Sequence, residues 1–350
     1  MPALVMSMAK RARSRKPRRI WLWVLPALAI LTFLASWAGV FPQGAVERVY
    51  SRTIYPWVSS ITARFADAVG FAWLDVMVPI GLVALILATR RRKYAMLGNG
   101  LAVFYLFFFW SWGLNYHRQP LQSKTPLDSS RMDAAGIESF ARDVAQNLNR
   151  LHPAKQGRTY EEARIREEAA SRVRHVTAVI DGAGWRGASR IKNSLIAGPW
   201  FRAASVDGVF NLFGHEPVVS GALLDFEQPF AMSHELAHVY GYAGEGDANL
   251  VAVFACLMSD DLDMQYSGWM NLWFYVRDTE RDKLLDAGPR QDIDRMIDRL
   301  RSGRIQWLSA FQNALLDFYL KSNSVQEGVR SYEEVVTLAA GTQPYWDRYR

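Results

Sequence analysis

His234, Glu235 and His238 spell His-Glu-x-x-His within Pro-Phe-Ala-Met-Ser-His-Glu-Leu-Ala-His-Val-Tyr-Gly, residues 229–241. On a helix, residues four apart lie on one face, one turn from each other. Both imidazoles can then point a nitrogen at a single Zn²⁺, which takes such ligands at about 2.0–2.1 Å. Glu235 sits one position round, where it can take a proton from a water without ligating the ion. The flanks predict the helix. Pro229 suits a first turn, Ala231, Leu236 and Ala237 favour helix, and Gly241 is placed to end it. The chain has six histidines, and two of them bracket a glutamate at ligand spacing in an apolar segment.

A catalytic zinc usually takes three protein ligands. Glu245 and Asp247 are the acids that follow. Gly244-Glu245-Gly246 reads as a tight turn. Asp247 then opens a second apolar helix from Ala248 to about Met258, with Leu250, Val251, Phe254 and Leu257 at helical spacing. Asp247 is the expected third ligand, facing back from that first turn, and Glu245 is the alternative. The mechanism these residues imply is metal-assisted hydrolysis of a peptide bond, with Glu235 as general base. Tyr266 or Tyr332 is the expected oxyanion donor. A different class also satisfies the motif: a zinc-stabilised, membrane-tethered binding or assembly module without catalysis. Glu235 discriminates the two, because hydrolysis needs it and structure does not.

These pieces resemble an uncharacterised family of bacterial multi-pass membrane proteins with a zincin-type His-Glu-x-x-His domain of unknown function. The resemblance rests on His-Glu-Leu-Ala-His-x-x-Gly-x-Ala followed by the acid-Ala-Asn helix. It extends to Phe109–Arg118, Tyr266-Ser267-Gly268, Tyr319-Leu320-Lys321 and Gly328–Tyr332. In that family the acid before Ala-Asn is usually Glu, and Asp247 is shorter by one methylene. More distantly, the layout is similar to zinc peptidases in which an acid from the following helix completes the site.

The elements that must position this chemistry begin at a membrane. The chain has 350 residues, 50% apolar and 13% aromatic, with a net charge of +7. Lys10, Arg11, Arg13, Arg15, Lys16, Arg18 and Arg19 crowd one end and abut an uncharged apolar run from Ile20 to about Val40. That juxtaposition points to a bilayer rather than to nucleic acid. The run exceeds the core of a cleaved signal peptide, so it reads as a retained span. Phe71–Thr89 is a second span, interrupted by Asp75 and Pro79, and Met96–Gly113 a third, aromatic toward its far end. Asp75 is expected to pair with a loop or reach the headgroups. Arg90–Lys93 and the first basic cluster must share a side, the cytoplasm by the positive-inside rule. Residues 1–19 are then a cytoplasmic tail, 20–113 a three-span region and 114–350 an extracytoplasmic domain of the inner membrane. The expected partners are the lipid bilayer and a peptide or protein substrate.

Residues 41–66 read as an outer loop of interfacial helical character. The outer domain reads as α-rich and zincin-like with a small β element. Ile137–Leu151 is one amphipathic helix, and Thr159-x-x-Glu162 is a possible capping box for a charged one after it. Leu195-Ile196-Ala197, Val209–Phe213 and Val218-Val219 predict short strands just before the zinc helix. His215 and Glu216 fall in a turn there. His117 reads as membrane-edge packing, and His152 and His175 have no acid at metal spacing. Cys256, the only cysteine, excludes an internal disulfide. No repeat, glycine-rich phosphate loop or nucleophile elbow is present.

Overall fold

A computed structural model describes residues 21–322 and 334–349. The basic cluster Lys10–Arg19 and Tyr332 lie outside the described residues. The chain is mainly helical. It opens with α1 (Trp21–Trp37) and a short turn, α2 (Gln43–Ala45), that runs into a π-helical stretch (Val46–Ile54) and α3 (Tyr55–Asp67). Next come α4 (Leu74–Arg90) and α5 (Tyr94–Ser111). α6 (Ala134–Lys155) and α7 (Glu162–Asp181) precede a sheet of β1 (Lys192–Asn193), β2 (Gly208–Asn211) and β3 (Glu216–Val219), with α8 (Gly198–Ala204) between β1 and β2. Then follow α9 (Gln228–Val239), α10 (Glu245–Leu257), α11 (Leu262–Val276), α12 (Ala287–Arg301), α13 (Gln306–Ser322) and α14 (Glu334–Tyr349).

Among the described residues one helix, α5, is long and apolar enough by itself to cross a membrane, and Leu22–Trp37 is a shorter apolar helix. Three full crossings were expected. α1 and α4 have 17 residues each, which is about 26 Å at 1.5 Å per residue and short of a hydrocarbon core.

Helix α10 is the centre of the core. Every residue from Ala248 to Leu257 is buried, the pattern of a helix covered on all sides. It packs on α7, α9, α11 and α14. The expected stripe of Leu250, Val251, Phe254 and Leu257 is therefore only part of its buried surface. α6 shows the expected amphipathic face, burying Phe140, Val144, Leu148 and Leu151, and lies against α11. The capping box before α7 does not form, since its N-cap is Glu161 with no side-chain hydrogen bond.

The β element is a three-stranded sheet in the order β1-β3-β2. β2 and β3 form an antiparallel hairpin, with Gly208 opposite Val219 and Asn211 opposite Glu216, and β1 runs parallel to β3. α9 packs on β2 and β3. The strand expected at Leu195–Ala197 is absent. Asp75 accepts hydrogen bonds from Ser194 Oγ and from the amides of Leu195 (3.1 Å) and Ile196 (3.0 Å). These bonds hold the segment as a loop at the first turn of α4, the loop pairing expected of that acid.

The residues expected as an outer loop are built into the core. Val46, Tyr50, Tyr55, Ala63 and Ala66 belong to the main buried cluster. The π-helical winding turns Glu47 and Ser51 inward as well. Glu47 receives a two-pronged hydrogen bond from Arg118 (3.0 Å each), and Lys124 reaches the same carboxylate at 3.1 Å. Arg118 and Lys124 also bind Asp181, at 3.0 and 3.2 Å. The four buried charges knit the π-helical stretch, the chain after α5 and the end of α7 into one unit, and such pairs hold geometry well when fully satisfied.

Candidate metal centre

Helix α9 begins with Pro229 in its first turn and ends as Gly241 takes φ +79°, as the residue types predicted. It presents His234 and His238 with their Nε2 atoms 3.2 Å apart. The other nitrogen of each ring is engaged. His238 Nδ1 lies 2.7 Å from the carbonyl of Tyr242. A carbonyl can only accept, so this ring carries its proton on Nδ1 and offers a lone pair at Nε2. His234 Nδ1 lies 2.9 Å from Asn249 Oδ1, and the same argument applies. Tautomers held this way are what a metal-binding histidine requires.

The third group is Glu245. Its Oε2 lies 3.2 Å from His234 Nε2 and 3.9 Å from His238 Nε2. One ligand atom from each of His234, His238 and Glu245 falls within 4.8 Å of the others, an arrangement that could hold a metal ion. Asp247 does not join it. Its carboxylate accepts the amide of Leu121, at 3.1 and 3.2 Å. This corrects the order of preference drawn from sequence. The physical reason is the start of α10. Gly244 is the N-cap and Glu245 the first helical residue, so Glu245 is not in a turn before the helix. Positions 245 and 247 then point to different faces, whereas 245 and 249 share one. Asn249 follows from the same register once the helix starts at Glu245 rather than at Asp247.

Glu235 is buried, and its Oε2 has no partner among the described residues. Burial pushes its carboxyl up to about 8, with Glu245 and Asp207 adding to the rise and His234 opposing it. Burial disfavours charge on His234, but the hydrogen bond and charge of Glu245 outweigh that and lift the ring to about 9. Burial takes His238 down to about 4.

The groups open on a cleft of about 480 Å³, with Trp112, Gly208, Phe210, Phe230, Asn271 and Tyr275 among its walls. Gly208 on β2 passes so close that a Cβ there would sit 2.6 Å from Glu235 Oε1. A glycine inside a strand pattern is a signal of such an approach. Tyr266 does not reach the cleft. It is fully buried and donates its hydroxyl to Asp292 at 2.8 Å. Tyr275, on the same helix, lines the cleft instead, which corrects the expectation for Tyr266.

The remaining candidates pack elsewhere, His215 through its ring alone, since neither of its nitrogens has a hydrogen-bond partner among the described residues. Glu216 pairs with Lys192 at 2.8 Å, both fully buried, and accepts the amide of Leu74 at the head of α4. His215 is buried in the hairpin turn at φ +46°, with its ring near Tyr55 and Phe210. His117 lies 2.9 Å from Ser36 Oγ on α1. His152 approaches Asp292 at 3.6 Å.

Comparison with curated proteins finds no match, and comparison with solved structures finds none either. The pattern of one family, described as a protein of unknown function (DUF3810), matches residues 50–340. That span starts within the π-helical stretch and takes in α3 to α13, the sheet and the first residues of α14, so the chain belongs to the DUF3810 family of proteins of unknown function.

Proposed function

We propose that the protein is a membrane-anchored zinc hydrolase acting on peptide bonds, with His234, His238 and Glu245 as ligands and Glu235 as general base. The observation that carries this reading is the convergence of three ligand atoms within 4.8 Å beside a buried carboxylate oxygen that has no partner among the described residues. The donor set, two nitrogens and one oxygen with both histidine tautomers held, fits zinc. When bound there, zinc supplies Lewis acidity that polarises a carbonyl and acidifies a neighbouring water. Glu235 takes the water proton and returns it to the leaving amine through the carboxylate oxygen that has no partner among the described residues. Tyr275, which lines the cleft, is the donor to the developing oxyanion in this reading.

Membrane anchoring is supported by the surfaces of α1, α4 and α5. Leu31, Ile80, Val83, Leu101, Val103 and Phe104 are at least half exposed. Helices that show large apolar side chains so widely suit lipid rather than water. Spans of 17 residues are at the short end of what crosses a bilayer. Arg90–Lys93, at the turn between α4 and α5, marks the cytoplasmic end, and the cleft opens at the other. The test is zinc content and cleavage of a mixed peptide pool by the wild type and by Glu235→Gln. Zinc in both, with cleavage only by the wild type, is the expected result. Zinc in both with cleavage by neither overturns the hydrolase in favour of a binding module.

A further inference from the structure

The cleft begins where α5 ends. Trp112 follows Ser111, the last residue of α5, and Trp112 and Tyr116 both line the cleft. The hairpin that carries the cleft wall also reaches down the same helix. Leu212 lines the cleft, and the next residue, Phe213, stacks on Phe104 and Phe107, with ring centroids 4.1 and 5.7 Å away. Phe107 and Phe104 lie four and seven residues before the end of α5. At 1.5 Å per residue the hairpin tip therefore sits about 6–10 Å below the outer end of that helix.

A second feature ties the far rim to the first turn of α4. Asp75, in the first turn of α4, holds the loop of Ser194 to Ile196. Leu195 on that loop is 86% exposed. Trp200, four residues past Ile196, lines the cleft and is also exposed. The neighbouring α13 shows Trp307 and Phe311 to the outside, while its Gln312 and Asn313 line the cleft. An open, aromatic rim, set beside the outer ends of α4 and α5, faces the layer where tryptophan and other amphipathic rings partition in a bilayer.

We infer that the cleft takes its substrate from the membrane surface: the membrane-proximal segment of an anchored polypeptide, cut within a few residues of where its anchor leaves the lipid. This rests on the hydrolase reading and on α4 and α5 as spans. The step is hydrolysis of an amide. Water oxygen bonds to the carbonyl carbon, the C–N bond breaks, and the products are a carboxylate and an amine that receives the proton through Glu235. A substrate held in the same bilayer meets the cleft at a raised local concentration, as any tethered pair does.

The test uses the full chain, loaded with zinc, in phospholipid vesicles. One probe is a randomised peptide segment fused to an apolar helix of about 20 residues. The other is the same segment fused to a Gly/Ser tail of equal length. Cleavage of the anchored probe should be faster on the order of 10²-fold, with cuts clustered near the anchor. Equal cleavage of both, or cuts far from the anchor, overturns the substrate class and leaves the hydrolase standing. Cleavage of neither overturns both. A second measurement is independent of activity. A fluorophore on Leu195→Cys should be quenched by lipid-borne spin labels, whereas one on Lys283→Cys, in the turn before α12, should not. An unquenched label at 195 removes the surface placement, whatever is cleaved.

Discussion

Trp112 donates its indole N–H to the carbonyl of His238, at 3.0 Å. The residue just after the apolar helix α5 thus holds the backbone of a histidine of the proposed metal site. It is one of several such bonds. Tyr55 donates to the carbonyl of Val239 at 2.7 Å, and Arg118 to that of Gly241 at 3.1 Å. The last carbonyls of a helix lack partners of their own. Here Tyr55, Trp112 and Arg118 donate to carbonyls at and just past the end of α9, so its orientation depends on those residues being in place. Trp112→Phe keeps an aromatic ring but removes the donor. It should cost about 0.5–1.5 kcal/mol and weaken zinc retention without abolishing it. Thermal unfolding in detergent, read beside zinc titration, checks this; an unchanged midpoint rejects the coupling.

Glu245→Gln should empty the site, because the acid that faces both Nε2 atoms is gone. Asp247→Asn should keep zinc, since that side chain serves the amide of Leu121. Asn keeps an Oδ1 acceptor for that amide, so the cost should stay below the ~1–3 kcal/mol of leaving a buried group unpaired. Metal analysis after gel filtration compares the two. Loss of zinc from Asp247→Asn alone would return the assignment to the other acid.

Asn249→Ala removes the acceptor for His234 Nδ1. Such partners set ring orientation, and their loss typically lowers metal affinity about 10–100-fold. Competition with a fluorescent chelator measures the change. An affinity within twofold of wild type, as an order of magnitude for no effect, would show that the amide does not position the ring.

Tyr275→Phe should lower kcat on the order of 10²-fold with KM nearly unchanged, the pattern of a donor used only in the transition state. Tyr266→Phe should leave turnover intact and instead reduce stability, because its hydroxyl binds Asp292 away from the cleft. Steady-state kinetics on one cleaved peptide separates the two. The opposite pattern would restore Tyr266 as the donor.

The Glu47 carboxyl gives stability a defined acid limb. Burial pushes its pKa up, but the hydrogen bond and charge of Arg118, with Lys124 and Arg52, outweigh this and leave it at about 2. Its pKa is thus lowered from 4.5 on folding. A depressed carboxylate stabilises the fold fully above the unfolded value, and that contribution is lost as pH falls from about 4.5 toward 2. The unfolding midpoint should drop over that window. Glu47→Gln should be less stable at neutral pH and show a flatter acid limb. A parallel acid limb in the variant would exclude Glu47 as its source.

What the sequence determined by itself is whatever depends on local spacing. The His234–His238 pair follows from helical periodicity, and the limits of α9 follow from Pro229 and Gly241. The apolar runs of α1, α4 and α5 are legible from composition within a few residues. The tertiary structure decided what depends on which face a neighbour covers. Glu245 and Asp247 have the same charge and differ by two positions. Only the start of α10 and the nearby amide of Leu121 turn one toward the histidines and the other away. Tyr266 and Tyr275 lie on one helix, and only its contacts send the first to Asp292 and the second to the cleft. Glu47 reads as a loop acid until Arg118 and Lys124, more than 70 positions away, meet it in the core. Sequence separation of that size carries no periodic signal, so these pairings exist only once the chain has folded.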